Sequence, residues 1–123
     1  MIERLGGMPD GVLGFRATGK LTAEDYSEGM MPALRAAVAS GEMRIVYVLG
    51  DDFYGLDAGA MVEDVKSGFE ITVGHRSAWK RLAIVSDIDW IRHSIHLLGW
   101  LAPGELKLFD LDRLEAATVW AAG

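Results

Sequence analysis

The chain contains no cysteine. That excludes a disulfide framework and a thiol nucleophile, and it makes a reducing cytoplasm the expected location. No apolar run approaches the roughly 18 residues of a membrane span, so an integral membrane protein is not expected. Met1-Ile2-Glu3-Arg4 leads straight into alternating sequence and not into a charged-then-apolar leader. Positive charge is scarce: 12 Lys and Arg stand against 18 Asp and Glu, for a net charge of -6. The basic residues are scattered, so neither nucleic acid, which must have its phosphates neutralised, nor anionic lipid is an expected partner. Gly55, Gly59, Gly68 and Gly74 form no G-x-G-x-x-G or Walker spacing, which removes a nucleotide cradle. Ser27, Ser40, Ser67, Ser77, Ser86 and Ser94 never sit in a nucleophile-elbow sequence. No cofactor, no resident metal and no catalysis are expected.

What is present is the composition of a folded globule: 123 residues, 50% hydrophobic and 24% charged, enough for one domain over 1–123 with a real core. Residues near 2–8 and 12–21 read as an antiparallel pair joined by Pro9-Asp10-Gly11, in which proline sets φ and glycine accepts a positive φ. Glycines in the second run predict a bulge or close backbone approach. Thr22 caps a helix with acids in its first turn, and Pro32 predicts a kink or break near Glu28-Gly29. Residues 43–49 form the most hydrophobic strand, central and covered on both faces. A helix from about Asp57 to Val73 follows, then a strand over Lys80 to Val85. A third helix, capped by Ser86-Asp87-Ile88-Asp89, carries Ile91, Ile95, Leu98 and Leu101 as its core stripe. Leu106 to Phe109 is a short last strand before a terminal helix. The order β-β-α-β-α-β-α-β-α implies an α/β protein whose parallel or mixed sheet is built with right-handed crossovers.

Function is expected where the central strand empties into Asp51-Asp52-Phe53-Tyr54-Gly55-Leu56-Asp57-Ala58-Gly59, because open α/β sheets bind ligands and partners at the carboxyl ends of their strands. The docking set is Asp51, Asp52, Phe53, Tyr54, Asp57, Ala58 and Gly59. Carboxylates clustered there suit a hard cation. However, phosphoryl transfer also needs a positioned lysine and a Ser or Thr, which this stretch lacks, and a solvated turn with Asp57 as helix cap is the favoured reading. His93 and His96 share a helix face, yet only His75 remains as a third imidazole, so an exposed or interfacial face outweighs zinc. Trp79 could stack on a ligand, and closing the sheet edge is the plainer role. Met61, Phe69, Trp90 and Trp100 are the candidates for an apolar ligand, although methionine at helical spacing is ordinarily core filler. A homodimer through the helix bearing His93, His96 and Trp100 is compatible with the pattern.

The chain as a whole resembles the bacterial SpoIIAA-like family, within the wider STAS and CRAL-TRIO-like fold group. The residues that carry this are Leu21-Thr22-Ala23-Glu24-Asp25-Tyr26 with Pro32, Asp52-Phe53-Tyr54-Gly55, Asp64, Trp79 through Asp87 with Trp90, Glu105 through Phe109, and Leu114 through Trp120. The resemblance implies a STAS-like mixed sheet with helices mainly on one face, and no established catalysis. It also implies a protein partner, as for anti-sigma-factor antagonists, which are switched by phosphorylating a serine in Asp-Ser-Ser-Gly. The corresponding stretch here is Leu56-Asp57-Ala58-Gly59, with alanine at the acceptor position. The CRAL-TRIO side of the resemblance implies an apolar small molecule held between helices and sheet.

Overall fold

The computed structural model describes residues 1–62, 66, 76–102 and 104–123. Five strands form one sheet in sequential order: β1 (Ile2–Arg4), β2 (Val12–Leu21), β3 (Met43–Leu56), β4 (Trp79–Val85) and β5 (Glu105–Phe109). β1 runs antiparallel to β2, and every later pair is parallel. The opening strand is shorter than expected. After a last bond from the Leu5 N–H to the Gly14 carbonyl at 2.8 Å, the chain to Met8 leaves the ladder, and a Cβ on Gly14 would lie 2.9 Å from Leu5 Cβ and Met8 Cγ. Glycine at position 14 is thus the condition for this close approach. Gly11, at φ +83°, closes the turn, with the Val12 N–H donating to the Pro9 carbonyl at 3.1 Å.

Sequential order with right-handed crossovers puts the connecting helices on one side. α1 (Ala23–Gly29), α2 (Met31–Ala39) and α3 (Asp89–Leu98) bury Tyr26, Met30, Met31, Leu34 and Ile91 against Phe15, Ile45, Leu49 and Ile84. The break at Pro32 is complete: proline occupies the first turn of α2, where its missing N–H costs nothing. Thr22 and Asp25 form a reciprocal capping box at the start of α1. The third helix starts differently from expectation. Its cap is Ile88 with no side-chain cap bond, because Ser86 Oγ accepts from the Ile88 N–H and Asp87 Oδ1 accepts from the Leu111 N–H.

The opposite face is covered by α4 (Leu114–Ala122), whose Ala117, Trp120 and Ala121 pack on Val46, Val48, Ala83, Val85 and Phe109 together with Leu5 and Met8. Two arginines fasten its carboxyl end. Arg44 Nη1 donates to the Ala121 carbonyl at 3.0 Å and Arg81 Nη1 to the Trp120 carbonyl at 2.6 Å, which supplies cations where the helix dipole is negative. β3 alternates between the two cores, with Met43, Ile45 and Leu49 on one side and Val46 and Val48 on the other. Among the described residues no helix is long and apolar enough to cross a membrane.

Candidate functional site at the outer end of the central strand

The stretch expected to leave the sheet after Leu49 stays in it. β3 continues to Leu56, so Asp51, Asp52, Phe53 and Tyr54 are strand residues and not a turn. The reason is the length of β2, which supplies partners as far as Leu21. The pairing is regular from Val12↔Arg44 to Ala17↔Leu49, then shifts to Gly19↔Phe53 and again to Lys20↔Gly55. Gly50, Asp51 and Asp52 therefore face a shorter stretch of β2, and Tyr54 is extruded next. Such bulges re-aim side chains. Glycine makes both strands compliant: Gly19 sits at φ +67° and Gly55 at φ +111°, where L side chains are strained.

The consequence is a sorted set of side chains. Asp51, Asp52 and Tyr54 face solvent, Tyr54 being 76% exposed, while Phe53 turns inward at 8%. Phe53 thus supports the rim from below, its ring 6.2 Å from that of Trp90. β4 pairs with β3 only as far as Val48↔Val85, so among the described residues the outer half of β3 has a strand neighbour on the β2 side alone.

Asp57 ends the strand and starts a helix. Its N–H donates to the Leu21 carbonyl at 2.9 Å, and its Oδ1 accepts from the Ala60 N–H at 2.8 Å. That is the capping role the sequence favoured. Ala58 and Gly59 are exposed in the first turn, and Gly59 lies beside Ala23 at the start of α1. Two residues escaped the sequence reading. Arg16 on β2 brings a guanidinium to Gly50, where the Asp52 carboxylate also converges: a Cβ there would lie 3.5 Å from Arg16 Nη2 and 3.2 Å from Asp52 Oδ1. Ala23 joins the rim at Gly59. Only strand register and helix placement bring these residues in, and neither is written in local sequence.

The apolar candidates are placed as follows. Met61, Trp90 and Trp100 are 58%, 57% and 79% exposed, joined by Val62 and Leu97. Trp90 rests on Phe53, whereas Trp100 sits in the turn Gly99–Leu101 and donates its Nε1 to the Leu97 carbonyl. Phe69, Asp64 and His75 lie outside the described residues, as do the side chains of Leu98 and Leu101. His93 and His96 are exposed on α3. Among the described residues no three His, Cys, Asp or Glu side chains cluster as metal ligands would. Trp79 takes the plainer role, half-buried against the core with Nε1 donating to the Glu105 carbonyl. A groove of ≈ 610 Å³ lies on the opposite face, beside α4, lined by Lys107, Phe109, Arg113, Val119 and Trp120 among others.

Comparison with known proteins fits this architecture. The family model described as SpoIIAA-like matches residues 12–122. The chain belongs to the SpoIIAA-like family. A solved relative is an uncharacterized protein of the DUF3478 family with a SpoIIAA-like fold, from Shewanella loihica PV-4. It is 32% identical, with a TM-score of 0.72 over 98% of this chain and 92% of that one. No curated protein matches. The SpoIIAA-like chain thus shares its fold with that relative across nearly its whole length.

Proposed function

We propose that this protein is a non-enzymatic regulatory domain of the cytoplasm that docks a protein partner on the outer half of β3 and the helix start that follows it. The observation that supports this reading is the bulge. A buried strand is distorted just where it exposes Asp51, Asp52 and Tyr54, while Phe53 and Asp57 are spent on holding that distortion in place. Bulges of this kind interrupt the ladder and are over-represented next to functional sites, where they re-aim side chains. Exposed aromatics in a polar rim are a common composition of contact surfaces. Ala58, at the first helical position, has no hydroxyl, so docking here is not switched by a phosphoryl group at that residue. The test is capture of partners from host extract by wild type and by a variant carrying Asp51→Asn, Asp52→Asn and Tyr54→Ala. Loss of a specific partner supports the rim; undiminished recovery removes it.

The second reading is carriage of a lipid-like apolar molecule, favoured by the exposed Met61, Val62, Trp90 and Leu97. Native mass spectrometry of protein purified from its host separates the two readings. A carrier retains a small molecule through desalting, and a docking domain does not.

A further inference from the structure

β5 is the last strand of the sheet, and among the described residues no strand lies along its outer edge. The Phe109 carbonyl accepts from the Ser86 N–H on the β4 side. By the two-residue strand period, Glu105 and Lys107 address β4 as well, so the backbone groups of Leu106 and Leu108 point outward. Such an edge is a template for another strand unless something blocks it, and a short strand with a central lysine is a common block. Whether Lys107 blocks depends on the register offered.

Two copies joined about a two-fold axis present antiparallel edges, and the outward residues of both must face each other. The axis then passes through Leu106, Lys107 or Leu108. Through Lys107 it sets two ammonium groups opposite each other, which disfavours pairing. Through Leu108 it sets Lys107 against Phe109, and the three strand residues then paired in each copy include no opposite charges. Through Leu106 it sets the Glu105 of each copy against the Lys107 of the other, twice over. We propose that the protein forms a two-fold dimer by antiparallel pairing of β5 edges centred on Leu106. The two sheets become one continuous sheet, and the Glu105–Lys107 cross-strand pairs fix the register.

Two further features fit that axis. Arg81 Nε donates to Glu105 Oε2 at 2.9 Å, which fixes the carboxylate on its strand, and a cation from a second copy would bond its other oxygen, Oε1. On the other face a Cβ at Gly99 would lie 3.2 Å from Leu106 Cδ2, so the end of α3 rests on the residue through which the axis runs. Dimerisation brings that turn beside its symmetry mate, and Trp100, the most exposed large apolar side chain among the described residues, is one residue away. This surface is separate from the rim on β3, so the rim can fail while the dimer stands, and the reverse.

Sedimentation equilibrium of the full chain at low salt tests the proposal. Wild type is expected at twice 13.4 kDa. Lys107→Glu alone and Glu105→Lys alone each set like charges opposite across the axis, and each weakens the dimer on the order of tenfold or more. An equimolar mixture of the two variants restores a heterodimer, because the reversed charges then meet their complements. Circular dichroism and thermal unfolding establish that both variants keep the fold; Lys107 is exposed, so its variant is the safer of the two. A monomeric wild type overturns the proposal. So does a dimer indifferent to Lys107→Glu, or two monomeric variants that fail to associate on mixing.

Discussion

The two halves of β3 obey different rules. From Arg44 to Leu49 the strand has a regular partner in β2, its pairing with β4 extends to Val48, and the side chains that enter the cores are mostly buried. From Gly50 to Leu56 it has, among the described residues, one strand partner, two register shifts and a mixture of exposed and buried side chains. The inner half holds the two layers of helices together. The outer half uses that rigidity as a foundation and departs from regularity to point polar and aromatic groups outward. A single strand can therefore belong to the core at one end and to the surface at the other, with glycine marking the transition.

Substitutions along the strand and the elements it feeds test this division. Ile45→Ala removes a buried side chain from the inner half and is expected to destabilise by about 2–5 kcal/mol, read as a fall in the denaturant midpoint. Gly55→Ala forces a side chain onto φ +111° and costs about 1–3 kcal/mol although the space around it is open, which separates backbone strain from crowding. Asp57→Ala removes the bond to the Ala60 N–H and costs about 1 kcal/mol, with Asp57→Asn recovering most of it.

The smallest effect belongs to the other helix start that this ribbon feeds. Partial burial pushes the Asp25 carboxyl up, but bonds from the Thr22 N–H and the N-terminal ammonium outweigh it, and the net shift is downward. A carboxyl whose folded pKa is depressed adds stability above its unfolded value, about 3.9, and loses it as pH falls through the lower folded value. Wild type should lose stability relative to Asp25→Asn as pH drops below about 4, measured by thermal unfolding across an acid series. A pH-independent difference between the two proteins would remove this contribution.

Much of the fold was legible because the local signals were strong. Pro9-Asp10-Gly11, the Thr22 cap, Pro32 and the apolar run from Ile45 to Leu49 each name their own local structure. The extension of β3 was not legible. Gly50-Asp51-Asp52 reads as a turn, and only the ten-residue length of β2, which pairs again with Phe53, Gly55 and Leu56 beyond the bulge, keeps the strand in the sheet. The start of α3 misled for a related reason: Ser86 and Asp87 carry cap chemistry but spend it on Ile88 and Leu111, the latter brought close by the arrival of β5. At the candidate site, the location and the cap at Asp57 came from sequence. Phe53 as support in place of contact, and the approach of both Arg16 and Asp52 to Gly50, depend on register across strands.

The most direct test places a photo-crosslinking amino acid at Tyr54 in the living host and, as a control, at Glu115 on the exposed side of α4. A single protein adduct from position 54, lost when Asp51 and Asp52 become Asn and absent at 115, is what a docking rim on the outer half of β3 predicts. No adduct at 54, in a chain whose stability matches the parent, would contradict it.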